Sequence, residues 1–168
     1  QNGTFPCNRF ISVLYLIKKS ETIVGLIAPF VQEIYSELVQ QYHPRLYQLY
    51  NEFLLTCIHG FDLKNDIIFL KLAEQLSTLL QNDADGSDEP INAINRLQIA
   101  IRQRPLSRDE IDLLLKIREN QASEHTIQCA IALLLGSHPE FEWHFQRLTE
   151  KEQAVFQTYP IYNLYKNR

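Results

Sequence analysis

The sequence predicts an all-α fold, an irregular helical bundle or a short helical array of seven to nine helices. Three observations predict it. A helix-start pattern recurs as Ser107-Arg108-Asp109-Glu110, as Thr149-Glu150-Lys151-Glu152 and as Ser137-His138-Pro139-Glu140. In each, the hydroxyl can accept from the backbone N–H three residues on, while the glutamate there returns to the cap's own N–H, so two donors orphaned at a helix start are satisfied. Apolar residues also recur at three- and four-residue steps, the stripe of a helix that buries one face. Finally, the segments between stripes are short and carry Pro, Gly, Asn and Asp, as links in a compact helical protein do.

The elements follow in order. Arg9–Lys19 is short and apolar and is expected to be helical, although its β-branched and aromatic content also suits a strand. From Glu21, the residues Ile23, Leu26, Ile27, Phe30, Val31, Ile34 and Leu38 form one stripe, kinked or restarted at Pro29. His43-Pro44 marks a boundary, because the residue before proline is pushed out of the helical region. A helix from Pro44 to His59 is expected next, with Gly60 as its C-terminal cap. Leu63–Leu80 reads as one further helix. Gln81–Glu89, QNDADGSDE, is expected to be a surface loop that divides the sequence into halves. Helices follow at Ile91–Gln103, broken at Arg104-Pro105, at Ser107–Glu119, at Glu124–Leu135 before Gly136, at His138–Arg147 and at Glu150–Thr158, with a tyrosine-rich tail beyond Pro160.

A length of 168 residues suits one all-helical domain, 1–168, and we expect it to be a piece of a longer protein. Hydrophobic residues at 45% and charged residues at 21% are ordinary for a globular chain and argue against disorder. No apolar run approaches the roughly 20 residues of a membrane-spanning helix. Cys7, Cys57 and Cys129 are odd in number and far apart, which suits reduced thiols and a cytoplasmic location rather than a disulfide framework.

A net charge of −4 means that any binding of anions must be local. One segment offers it. Asn95–Arg108 carries Arg96, Arg102, Arg104 and Arg108 without a carboxylate, and the N–H groups opening the helix after Ser107 stand next to them in sequence. These four arginines are the candidate anion-binding residues, for a phosphoinositide head group or a phosphopeptide; as a plain solvated face they would instead meet nearby acids. A second candidate surface is aromatic. Tyr47, Tyr50 and Phe53, beside Leu46 and Leu49, can line a groove for a partner protein, since tyrosine combines a rigid apolar ring with a polar end; the same residues also suit core packing.

Other chemistry is less favoured by the spacing. Leu148–Phe156, LTEKEQAVF, resembles the opening of bacterial helix-turn-helix activator domains, but that motif needs a basic recognition helix where Tyr159-Pro160 stands, so DNA is not an expected partner. His138, Glu140, Glu142 and His144 are offset so that they point to opposite sides of a helix, and no metal or other cofactor is expected. His125 and Cys129 share a helix face, yet Cys129 opens the apolar run CAIALLL and suits an inert core thiol. No catalytic set emerges, and the leading expectation is a non-enzymatic protein-interaction module. Anion recognition, or a helical accessory lobe of a larger enzyme, is the alternative.

Overall fold

The computed structural model describes residues 47–83 and 89–167, together with Glu33, Ser36 and Gln40, which are helical. The expected helices at Arg9–Lys19 and from Glu21, and Cys7, lie outside the described residues or almost entirely so. The described residues hold eight α-helices, one 3₁₀ turn and no strand, so the all-α class is correct. None of these helices is long and apolar enough to cross a membrane. The chain divides into two compact units, residues 1–80 and 81–168.

In the first unit, α1 (Tyr47–Lys64) and α2 (Ile67–Asp83, which runs three residues past the unit's end) replace the expected breaks with different ones. Gly60 does not cap α1. It lies buried inside the helix, where a Cβ would stand 2.8 Å from two ring carbons of Phe69, so its lack of a side chain lets the α2 ring lie against the α1 backbone. The turn comes five residues later. Asn65 takes the left-handed conformation at φ 53°, and the Asp66 carboxylate accepts from the Ile68 N–H at 3.0 Å, closing the first turn of α2. Leu54, Ile58, Phe69, Leu70, Leu72 and Leu76 are all interior.

The second unit comprises α3 (Glu89–Ala100), α4 (Arg108–Asn120), α5 (His125–Leu134), α6 (His138–Phe145), α7 (Glu150–Phe156), the 3₁₀ turn Pro160–Tyr162 and α8 (Asn163–Lys166). The helix α5 is its centre: every residue from Gln128 to Leu134 is buried, and α3, α4, α6, α8 and the 3₁₀ turn all pack on it. An aromatic cluster closes the C-terminal side. The Phe141 ring lies 5.2 Å from Phe145, 6.0 Å from Phe156, 6.2 Å from Tyr162 and 4.7 Å from Tyr165, centre to centre.

The expected capping boxes form at Ser107 and Thr149. Ser107 N–H donates to Glu110 Oε2 at 2.8 Å and Glu110 N–H returns to Ser107 Oγ at 3.3 Å; Thr149 and Glu152 make the same pair at the same distances. The third does not form. Ser137 already donates its N–H to Ala132 O at 2.8 Å, and Gly136, at φ 73°, donates to Leu133 O, the two bonds of a Schellman ending for α5. That leaves Ser137 at φ −90° and ψ 85°, outside the extended geometry a capping box needs, and Glu140 pairs instead with Arg118 at 3.1 Å. Glutamines close two other helix ends. Gln128, only 4% exposed, donates to the carbonyls of Arg118 and Gln121 at the end of α4, and Gln153 donates to those of Phe145 and Leu148 after α6.

Candidate anion-binding cleft

The four candidate arginines have different surroundings. Arg102 is half-buried and acts as a strap, with Nη1 donating to Gln98 O at 2.6 Å and Nη2 to Pro160 O at 3.0 Å, so it joins the end of α3 to the 3₁₀ turn. Arg104 grips Glu110 through two bonds of 2.8 Å. This pair, with the Ser107 N–H, holds the Glu110 carboxyl well below the usual carboxylate range, at about 2. The anion site expected at the start of α4 is therefore partly occupied by the chain's own carboxylate. Arg108 is exposed at the first position of α4.

Arg96 is placed differently. On α3, Asn92, Ala93 and Arg96 fall on one face by their spacing of three and four; on α4, Leu113, Lys116, Ile117 and Asn120 do the same. The two faces border a cleft of about 600 Å³, a size suited to a small ligand or to the side chains of a peptide. Leu113, Ile117, Ala93 and Pro90 make its apolar wall. Arg96 and Lys116 supply its two cations, Glu89 one acid, and Gln81, Asn92, Asn120 and Gln121 its amides. Neither Arg96 nor Lys116 has an ion-pair or hydrogen-bond partner among the described residues, in contrast to the engaged Arg102, Arg104 and Arg118. Sequence reasoning missed Lys116, because nothing in the chain's local pattern joins it to an arginine twenty positions earlier.

The aromatic surface is altered by burial. Tyr50 and Phe53 are 1% and 2% exposed, so their rings are core and present no groove to a partner, while Tyr47 is half-buried. The apolar stripe that suggested a binding face faces inward. Cys57 and Cys129 are also interior; burial pushes the Cys57 thiol up strongly and that of Cys129 to about 12, leaving neither as a thiolate near neutral pH. The histidine beside Cys129 in sequence turns elsewhere: His125 faces His144, while Cys129 Sγ points at Phe141 O at 4.0 Å. No group of three or more His, Cys, Asp or Glu is placed to hold a metal ion among the described residues.

Compared with protein-family models, with curated protein sequences and with solved structures, the chain matches none.

Proposed function

We propose that this chain is a protein-interaction module whose α3–α4 cleft receives an acidic or phosphorylated side chain of a partner protein. One observation carries this reading: Arg96 and Lys116 border the same cleft and neither has an ion-pair or hydrogen-bond partner among the described residues, whereas Arg102, Arg104 and Arg118 are already engaged. Two cations lining one cleft favour an anion within it. The apolar wall beside them suits the stem and neighbours of a side chain, and the amides of Asn120 and Gln121 offer hydrogen bonds along its path. A peptide fits better than a lipid surface. Each surface cation contributes only about 1 kcal/mol of attraction to an anionic membrane. Two are too few when the whole chain carries −4.

The test uses fluorescence anisotropy of the full chain with labelled peptides identical except for phosphoserine, glutamate or glutamine at the central position, and with vesicles containing a phosphoinositide. Binding should rank phosphoserine above glutamate above glutamine and weaken from about 0.05 to about 0.3 M salt. Replacing both cations, Arg96→Gln with Lys116→Gln, should lower affinity at least about tenfold, equivalent to about 1.4 kcal/mol. Equal binding of all three peptides would overturn the reading, and binding to vesicles alone would transfer the site to lipid.

A further inference from the structure

The chemistry outside the cleft gathers where α5 begins and α6 ends. His125 is the first residue of α5 and His144 lies in the last turn of α6, and their Nδ1 atoms face each other at 3.0 Å. The rings are 5.3 Å apart, centre to centre. A straight N–H···N bridge at this length, with each nitrogen about 1.15 Å from its ring centre, separates the centres by about 5.3 Å. Two imidazoles on one tetrahedral ion at about 2.1 Å would hold these nitrogens about 3.4 Å apart, and two at right angles on one ion would bring the ring centres to about 4.6 Å. The observed geometry is that of a shared proton, not of a chelate.

We propose that His125 and His144 form a proton-controlled clasp between α5 and α6, closed while at most one of the two rings is charged and opened when both are. With both rings neutral, one must carry its hydrogen on Nδ1 and the other on Nε2, so that one donates and one accepts. Adding one proton keeps the bridge, because the charged ring still has an Nδ1–H to give to its neighbour. A second proton places a hydrogen on each facing nitrogen. The bond is then lost and two cations meet at contact distance, so the pair separates.

The surroundings support this order of events. Burial, followed by the charge of His125 and with Arg147 and Arg118 adding to it, holds His144 below the ordinary histidine range, and Glu140 only partly opposes them. Glu152, from α7, is influenced by the charge of His125, and Glu124 precedes His125 in the chain. The open arrangement therefore binds protons more readily than the closed one, and acid drives opening. The change is confined to one end of the helix pair, since the Schellman ending of α5 and the Phe141 cluster hold the rest. Trp143, the only tryptophan, lies edge-on to His144 at 4.6 Å beneath the Arg147 guanidinium, 3.3 Å from its ring centre, and so reports the clasp directly.

The experiment is long-range ¹H–¹⁵N NMR of the histidine rings in the ¹⁵N-labelled full chain, titrated downward from about pH 8, with Trp143 emission followed in parallel. At the start one of the two rings should be in the Nδ1–H form, and the pair should then titrate in two separated steps, with the emission change at the lower one. In His125→Gln and, separately, in His144→Gln, the remaining ring should titrate in a single step at higher pH than the lower step of the natural pair. Far-ultraviolet circular dichroism confirms that each variant is folded, and one folded variant suffices. Finding both rings in the Nε2–H form at high pH, or each titrating as though the other were absent, overturns the clasp.

Discussion

Replacing Phe141 with alanine should remove at least about a third of the stability of the C-terminal unit. Its side chain is 1% exposed and its ring contacts Phe145, Phe156, Tyr162 and Tyr165 at centre distances of 4.7 to 6.2 Å. Truncating a buried phenylalanine costs about 3 to 5 kcal/mol, the sum of lost transfer energy and of the cavity left behind. The upper half of that range applies here. The four neighbouring rings belong to four separate elements, α6, α7, the 3₁₀ turn and α8, so no single side-chain shift can fill the void. A unit of this size has a total stability of about 4 to 13 kcal/mol. Phe141→Leu, which keeps apolar volume but loses the ring contacts, should cost about 1 to 2 kcal/mol. Urea unfolding followed by Trp143 emission isolates the unit, because the only tryptophan lies within it. A loss under about 1 kcal/mol for the alanine variant, with an unchanged dependence on urea, would refute the packing argument.

Three further outcomes are expected. Because Glu110 is held at about 2 by Arg104 and the Ser107 N–H, its contribution to stability is present above its unfolded-state value near 4.5 and disappears as pH falls toward 2; Glu110→Gln should therefore flatten the acid end of the stability curve, and an unaltered curve in circular-dichroism melts would count against it. Gly60→Ala gains about 1 kcal/mol of helix propensity but meets Phe69 at 2.8 Å, and since that ring is buried the overpacking penalty of about 1 to 3 kcal/mol should win. A higher melting temperature for the alanine variant would mean that the α1–α2 approach is looser than described. Cys57 and Cys129 should react with a thiol reagent at neutral pH only after urea is added; rapid labelling of either in the folded chain, located by mass spectrometry apart from Cys7, would show that it is accessible.

Features written within three or four residues were legible in the sequence. The Ser107 and Thr149 capping boxes and the Gly136 ending depend on neighbours close in the chain and appear where the residues place them, while the helix expected to run to Arg104-Pro105 already ends at Ala100. Ser137 shows the limit. Its pattern matches the other two, but the preceding helix claims its N–H and Arg118 claims its glutamate, and both claims come from outside the motif. Gly60 carries a cap signal that the Phe69 ring overrides, while Asn65-Asp66 was a readable turn pair hidden inside an apolar stripe. Tyr50 and Phe53 illustrate a different ambiguity: a stripe that can bind a partner and a stripe that fills a core look identical until burial separates them. The cleft was half legible. Arg96 stood out by charge, but Lys116 joins it only because α3 and α4 border the same space.

The central claim, that this cleft takes an anion-bearing peptide, is tested most directly by mapping amide shifts of the ¹⁵N-labelled chain during titration with the phosphoserine peptide. Perturbations are predicted along one face of each helix, at Asn92 and Arg96 and at Leu113, Lys116 and Asn120, and they should vanish in the Arg96→Gln, Lys116→Gln variant. Shifts that gather instead around Arg104 and Arg108, or that leave both cleft faces untouched at saturating peptide, contradict it.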